Sequence, residues 1–187
     1  MQPRMSIEET AIFVSFLRHS CGYVEFGAGG STVVASASVK DWAIAIDSST
    51  PWIDKVRAAC AGARLSPEFL HVDIGQVGNW GVPIDPESKP RWETYHSAVW
   101  SQAKSAAADF YLIDGRFRVA CFAQTVLHCA PDAVIAIHDF ESRRHYHVVK
   151  DIGREIARAE DLSFFLPKSH ERARAVALLE RFKLEPA

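Results

Sequence analysis

Short apolar runs alternate with amphipathic segments along most of this chain. The apolar runs predict β-strands at residues 23–26, 42–46, 69–72, 110–113, 133–137, 162–166 and 175–179. The amphipathic segments predict α-helices at residues 6–19, 51–63, 118–129 and 145–159. Strands without a polar face, separated by helices, are typical of a parallel sheet that is covered on both sides.

This pattern predicts a single α/β domain over residues 1–187, Rossmann-like, with a mostly parallel seven-stranded sheet and helices on both faces. A length of 187 residues favours one domain and suffices for a complete core. Residues 1–20 are predicted to contain an N-terminal helix, because Ser6 and Glu9 have the spacing of a capping box. Thr50, as N-cap, and Pro51 mark the start of the helix after the second strand.

Composition and charge narrow the range of partners. A hydrophobic content of 48% excludes a disordered chain, and a net charge of −2 gives no strong field for nucleic acid or an anionic membrane. The chain has no apolar run of bilayer length, no apolar signal core in residues 1–10, and no CxxC pair among its four cysteines. We expect a cytoplasmic protein with reduced thiols and a small-molecule partner; a homo-oligomer is left open.

The ends of the predicted strands carry glycine or acidic residues. Because parallel strands end at the same edge of a sheet, we expect one rim lined by Gly27, Asp47, Asp73, Asp114 and Asp139. The segment 75–91 follows the third strand on this side and is rich in glycine and proline. This segment is either an active-site loop or an ordinary surface loop.

The segment Glu25–Thr32 leaves the first strand and enters a helix through three glycines. Such a turn lets a ligand approach the backbone and the free N–H groups at the helix N-terminus, although a tight turn without a ligand has the same pattern. Thr32 stands where the dinucleotide fingerprint has its third glycine. The carboxylate of Glu25 would repel the negative charge of a pyrophosphate. The turn therefore suits a ligand that brings an ammonium group or hydroxyls.

The segment Val24–Thr32 resembles the first motif of class I S-adenosylmethionine-dependent methyltransferases, and the resemblance extends from about Cys21 to the C-terminus. It implies S-adenosylmethionine as cofactor, with Asp47 binding the ribose hydroxyls. Trp52 either packs near the adenine or is a half-buried helix residue. The full set of cofactor-binding residues that the resemblance implies is Glu25, Gly27, Ala28, Gly29, Ser31, Thr32, Asp47, Ser48, Trp52 and Asp73.

The candidate catalytic residues are Asp114, His138 and Asp139, all at predicted strand ends. Asp114 lies in a segment that resembles the fourth motif of the family, near the methyl-transfer centre. A hydroxyl acceptor benefits from a general base, and an unperturbed histidine titrates near neutrality. His138 can equally be turned into a helix interface.

Some small-molecule O-methyltransferases of this broad family bind a divalent metal through residues at these strand ends, including an Asp-Asn pair. Asp114 and Asp139 match two of those ligands, but Phe140 replaces the asparagine. Hard cations need several oxygen ligands, and Glu141 is the one spare acid nearby. We therefore predict that no metal takes part.

Basic residues follow the same two strand ends in the sequence: Arg116 and Arg118 after Asp114, and Arg143, Arg144, His145 and His147 after Asp139. If these groups reach the rim they indicate an anionic acceptor; otherwise they are solvated surface. The substrate-binding candidates are Trp80, Arg116 and Arg143. The helical spacing of Trp92, Tyr95, His96 and Val99 favours a core-facing stripe over a pocket wall.

The leading functional hypothesis is a methyltransferase that methylates oxygen or nitrogen of a small, possibly anionic acceptor. An NAD(P)-dependent oxidoreductase is the second hypothesis, although the chain has no Tyr-x-x-x-Lys pair. A non-catalytic module that keeps a cofactor pocket is the third, since a fold does not fix a function.

Overall fold

A seven-stranded sheet runs through the computed structural model, which describes residues 1–186. Its strands are β1 (Gly22–Phe26), β2 (Trp42–Asp47), β3 (Glu68–His71), β4 (Phe110–Ile113), β5 (Val134–Ile137), β6 (Gly153–Ala159) and β7 (Leu162–Pro167). The order is β3-β2-β1-β4-β5-β7-β6, with β1 to β5 mutually parallel. Strand β7 runs antiparallel to both β5 and β6. The predicted fold class is confirmed, with an antiparallel hairpin at one edge.

Helices cover both faces of this sheet. They are α1 (Ile7–His19), α2 (Gly30–Ser38), α3 (Thr50–Ala59), α4 (Thr94–Ser97), α5 (Arg118–His128) and α6 (Arg172–Phe182). One face packs on α1 and α2 through Phe13, Leu17 and Ala35, and the other packs on α4, α5 and α6. The strands alternate their contacts between the two layers because successive side chains point to opposite faces.

Local signals account for the helix starts. The Ser6 hydroxyl accepts from the Glu9 N–H, and the Glu9 carboxylate accepts from the Ser6 N–H, so the predicted capping box is present. Ser49, one residue before the predicted cap Thr50, caps α3 through a contact with the Trp52 N–H. Tyr95, His96 and Val99 are buried, so that part of the predicted stripe faces the core.

Two predicted elements near the C-terminus are wrong. The predicted helix 145–159 is a 3-10 segment (Arg144–Asp151) followed by β6, because antiparallel pairing with β7 overrides the helix-forming composition of this stretch. The predicted strand 175–179 is part of α6. Ala175 and Leu178 are buried while Val176 is 46% exposed, which is a helical rather than a strand pattern.

The segment 75–91 forms a small hairpin and a 3-10 turn. Val77 and Pro83 pair in an antiparallel bridge, and the hairpin tip is Trp80, with φ of 62° and 69% exposure. Residues Pro86–Arg91 then form a 3-10 helix that Asp85 caps. Between residues 1 and 186, no helix has the length and hydropathy that a bilayer span requires.

Candidate active site

One cavity, with a volume of about 1090 Å³, lies at the carboxyl ends of the parallel strands. Of the residues expected on the rim, Gly27, Asp47, Asp114 and Asp139 line it. Asp73 lies outside the lining and forms an exposed ion pair with Arg91. The other predicted site residues in the cavity wall are Ala28, Gly29, Ser31, Ser48, Trp52, Trp80, Arg116, His138 and Arg143.

The glycine turn between β1 and α2 is shaped by a close backbone contact. Gly27 has a φ of 99°, which favours glycine, and its N–H donates to the Ile46 carbonyl over 2.9 Å. A Cβ at Gly27 would lie 2.5 Å from the Cα of Gly115, in the turn after β4. The turns after β1 and β4 therefore meet with no room for a side chain between them.

Glu25 lies beneath this turn and is fully buried. Its carboxylate accepts from the hydroxyls of Ser31 and Thr32, and Thr32 Oγ1 in turn accepts from the Gly29 N–H over 2.8 Å. Burial raises the pKa of Glu25 to about 8, although the two hydroxyl bonds act in the opposite direction. Neither Glu25 nor Thr32 lines the cavity, so both act on the shape of the turn from behind.

The raised pKa of Glu25 predicts a pH-dependent stability. Between the unfolded value of 4.5 and the folded value of about 8, the folded chain holds a proton that the unfolded chain has lost. The contribution of Glu25 to the free energy of unfolding is therefore complete below pH 4.5 and is lost as the pH rises towards about 8. Denaturant unfolding from pH 5 to 8 is expected to show Glu25→Gln gaining stability relative to wild type by roughly 1 kcal/mol per pH unit. A constant difference across that range would contradict the buried, protonated Glu25.

Asp47, at the end of β2, is held in place by backbone donors. Its Oδ2 accepts from the Ala28 N–H over 3.1 Å and its Oδ1 from the Ser49 N–H over 3.0 Å. Burial raises the pKa of Asp47 to about 6, although the backbone hydrogen bonds act in the opposite direction. The Trp52 indole N–H donates to the Ala28 carbonyl over 2.7 Å, so strand end, turn and helix α3 form one wall.

A polar cluster forms the wall at the ends of β4 and β5. The Arg118 Nη2 lies 3.1 Å from both Asp114 Oδ1 and Asp139 Oδ2, and His138 Nδ1 lies 3.2 Å from Asp114 Oδ1. Burial opposes the ionisation of Asp114, but the hydrogen bond to His138 and the charge of Arg118 outweigh it and lower the pKa. The structure thus brings the three candidate catalytic residues together around a buried guanidinium.

His138 contacts carboxylates through both ring nitrogens. Besides Asp114, its Nδ1 lies 3.5 Å from Asp139 Oδ1, and its Nε2 lies 3.6 Å from Glu9 Oε2. Burial alone would lower the pKa of His138, but the hydrogen bond with Asp114 and the three surrounding carboxylates raise it to about 9. The side chain is therefore an imidazolium at neutral pH.

Potential metal ligands and a competing cation occupy the same place. Ligand atoms of Asp114, His138 and Asp139 lie within 4.8 Å of one another. The Arg118 guanidinium already supplies a positive charge to both carboxylates. Glu141, the spare acid of the sequence prediction, pairs with Arg158. The sequence placed Arg118 among the basic residues after the strand ends but not among the candidate site residues, because its contacts with both carboxylates depend on the fold.

Arg116 stands apart from the other basic residues. Its Nε is buried and has no hydrogen-bond partner in the part of the chain that the structure describes. Its side chain lines the cavity, while its backbone N–H donates to the Tyr95 hydroxyl over 3.4 Å. Burial and the charge of Arg118 lower its pKa. Arg143, in contrast, pairs with Asp139 over 3.0 Å.

The N-terminal segment Met1–Met5 forms a further wall that the sequence did not indicate. A Cβ on Gly30 would lie 2.1 Å from the Gln2 carbonyl oxygen, so the segment crosses directly over the glycine turn. The Arg4 guanidinium lies 4.3 Å from the ring centre of Trp80, which joins this segment to the hairpin tip by a cation–π contact. The cavity is therefore bordered on one side by two segments that hold each other.

Comparisons with known proteins give structural matches. No protein-family model matches the sequence, and no curated protein matches it. A methyltransferase-like protein from Silicibacter pomeroyi superimposes with a TM-score of 0.85 at 24% identity, covering 99% of this chain and 98% of that one. An O-methyltransferase from Bacillus cereus, in complex with S-adenosylhomocysteine, matches with a TM-score of 0.55 at 13% identity over 89% and 84% of the two chains.

An N-methyltransferase from Bradyrhizobium japonicum, also in complex with S-adenosylhomocysteine, matches with a TM-score of 0.53 at 13% identity over 88% and 90% of the chains. All three matches extend over more than four fifths of both chains. The chain therefore has the fold of the class I S-adenosylmethionine-dependent methyltransferases, as the resemblance of its glycine turn implied.

Proposed function

We propose that this protein is an S-adenosylmethionine-dependent methyltransferase that acts on oxygen or nitrogen of a small acceptor. One observation carries the proposal: the glycine turn, the Asp47 carboxylate and the polar cluster at Asp114 line the same cavity at the strand ends. Ligands of open α/β sheets bind at this edge. The cavity volume of about 1090 Å³ accommodates a nucleoside cofactor together with a small acceptor.

The residues in the wall suit the cofactor. The backbone of Gly27–Gly29 and the Ser31 side chain would hold the methionine part, with Glu25 and Thr32 fixing the turn from behind. Asp47 and Ser48 would accept from the ribose hydroxyls, and Trp52 would border the adenine. When bound, the cofactor supplies an electrophilic methyl group on a sulfonium.

The polar cluster would orient the acceptor. Arg118 holds the carboxylates of Asp114 and Asp139 in fixed positions, and His138 bridges both. A preorganised wall of this kind keeps the acceptor atom in line with the methyl group, and proximity supplies much of the rate in such transfers. The hairpin tip at Trp80 and the segment Met1–Met5 would limit the entry of water.

A thermal-shift titration with S-adenosylhomocysteine, S-adenosylmethionine, NAD and NADP tests the proposal. A ligand at 100 times its Kd adds about 2.7 kcal/mol to the stability. In a chain of this size that raises the Tm by roughly 5–10 °C. We expect this shift with the two adenosyl-sulfur ligands and none with the dinucleotides.

The opposite pattern, a shift with the dinucleotides alone, would replace the proposal with an oxidoreductase. No shift with any of the four would point to the non-catalytic module. Isothermal titration calorimetry with S-adenosylhomocysteine then gives the stoichiometry, for which we expect one ligand per chain.

A further inference from the structure

We propose that a strap, Met1–Met5, and the hairpin with Trp80 at its tip form a gate that controls entry and release of the cofactor. The inference rests on the proposed function and adds the route by which the cofactor is exchanged. It is drawn from the position of the two segments along the cavity and from the contact that joins them.

The strap lies directly over the turn after β1. A Cβ on Gly30 would lie 2.1 Å from the Gln2 carbonyl oxygen and 2.3 Å from the Pro3 nitrogen. Gly30 is the first residue of α2 and has no positive φ, so the backbone conformation at this position does not call for glycine. The backbone of the strap calls for it instead, because that backbone occupies the space of a side chain. The closed position of the strap is therefore built into the sequence of the turn.

The strap is fixed at one end and lightly held along the rest. Met5 packs against the buried cluster that includes Phe13 and Leu17, and the capping box of α1 follows immediately. Among residues 1–186, no hydrogen bond or ion pair involves Met1–Arg4. Few bonds therefore have to break when this part of the strap lifts from the turn, while Met5 stays in place.

The hairpin packs beside the neighbouring wall of the cavity. Its two arms pair between Val77 and Pro83, and a Cβ on Gly81 would lie 3.6 Å from the Ser48 hydroxyl oxygen. Ser48 belongs to the wall that would accept from the ribose hydroxyls. The hairpin thus borders the proposed ribose end of the cavity, and the strap covers the proposed methionine end.

Arg4 and Trp80 join the two segments. The guanidinium of Arg4 lies 4.3 Å from the ring centre of Trp80, and both side chains are exposed. The φ of 62° at Trp80 is an outlier for a bulky residue, and such conformations are concentrated at ligand clamps and switch regions. A cation–π contact at an exposed site is weak, so it can open and form again.

A gate has a kinetic signature that a binding contact lacks. If the strap and hairpin favour the closed position equally with and without cofactor, loosening them speeds entry and release by the same factor. The Kd then stays unchanged, because a ligand that does not distinguish two states shifts no equilibrium between them. Loss of a direct contact with the cofactor would instead raise the dissociation rate and weaken the Kd.

Surface plasmon resonance with S-adenosylhomocysteine measures both rates. Gly30→Ala places a methyl group where the strap lies, and we expect it to raise the association and dissociation rates by about 10-fold each. Trp80→Ala, which removes the cation–π contact, should raise both by about 5-fold. The Kd should stay within about 2-fold of wild type in both variants. Arg154→Ala, at an exposed position on the distant edge strand β6, should keep wild-type rates.

A variant that lacks residues 2–5 tests whether Gly30→Ala acts through the strap. In that background the added methyl group meets no strap backbone, so Gly30→Ala should change neither rate further. A further change would mean that the methyl group acts on the cofactor directly, and it would overturn the inference. Unchanged rates for Gly30→Ala in the full chain, or a faster dissociation with a correspondingly weaker Kd, would overturn it as well.

Trypsin cleavage after Arg4 tests the gate without any cofactor. The protease reaches this bond when the strap lifts, and its rate follows the open population when opening is fast. Gly30→Ala and Trp80→Ala should speed this cleavage by the same factors as the exchange rates, and Arg154→Ala should not. Equal cleavage of the wild type and Gly30→Ala would refute the gate. Absence of S-adenosylhomocysteine binding by the wild type would refute the proposed function and the gate with it, whereas binding with unchanged rates in the variants would refute the gate alone.

Discussion

Replacing Gly27 by alanine is expected to lower the free energy of unfolding by about 3 kcal/mol. Two effects combine at this position. The φ of 99° is unfavourable for any residue with a side chain, and the new Cβ would lie 2.5 Å from the Cα of Gly115, which is backbone and has no rotamer to change. The turns after β1 and β4 would have to separate, which would disturb the core between them.

Thermal unfolding followed by circular dichroism measures this effect, with an expected fall in Tm of about 6–12 °C for a chain of this size. Gly62→Ala is the matched control, because Gly62 has a φ of 78° but no atom within 4 Å of the added Cβ. We expect Gly62→Ala to lower the free energy of unfolding by about 1 kcal/mol, because it adds backbone strain without a steric contact. Equal losses in the two variants would mean that the contact between Gly27 and Gly115 is not tight.

The second large effect is expected from Asp47→Ala, which should weaken binding of S-adenosylhomocysteine by about 100-fold. Asp47 is the acceptor for the ribose hydroxyls in the proposed complex. Its carboxylate also accepts from the N–H groups of Ala28 and Ser49, so the variant loses the anchor between strand end and turn as well. Calorimetry at pH 8, above the Asp47 pKa of about 6, measures binding to the ionised form.

Asp41→Ala is the control for this variant, since Asp41 is exposed and lies immediately before the opposite end of β2. Its affinity for S-adenosylhomocysteine should equal that of the wild type. If Asp47→Ala keeps wild-type affinity while remaining folded, Asp47 does not hold the ribose, and the orientation proposed for the cofactor must be reversed or abandoned.

The order of strands and helices up to residue 137 was predictable because each signal is local. Apolar runs of strand length, the capping box at Ser6 and the glycines after β1 indicate their structures without reference to distant residues. The C-terminal hairpin was not predictable in this way. Residues 153–159 contain arginine, glutamate and alanine, which suit a helix, and they form β6 because β7 offers a partner edge.

The candidate site also has a part that the sequence predicts and a part that depends on the fold. That Gly27, Asp47, Asp114 and Asp139 share a rim follows from the parallel strands, and the cavity includes them all. That Glu25 faces Ser31 and Thr32 instead of the cavity depends on side-chain direction within the turn, which spacing does not encode.

Contacts from the N-terminus were beyond sequence reasoning for a different reason. Glu9 was recognised as a capping residue, yet its approach to His138 depends on how α1 packs against the sheet. The segment Met1–Met5 has no periodicity or motif that would place it over Gly30. Long-range packing of this kind becomes visible when the fold is known.

The distribution of tryptophans gives the protein a built-in optical reporter. Trp42, Trp92 and Trp100 pack against the hydrophobic core, whereas Trp52 and Trp80 line the cavity and are 37% and 69% exposed. Emission from a solvent-exposed indole shifts to the blue when water leaves its surface. The intrinsic fluorescence of the unlabelled chain should therefore follow ligand binding in the cavity in real time. In Trp80→Phe, the remaining cavity signal comes from Trp52 and reports ligand binding at the α3 wall. In Trp52→Phe, it comes from Trp80 and reports movement of the hairpin tip.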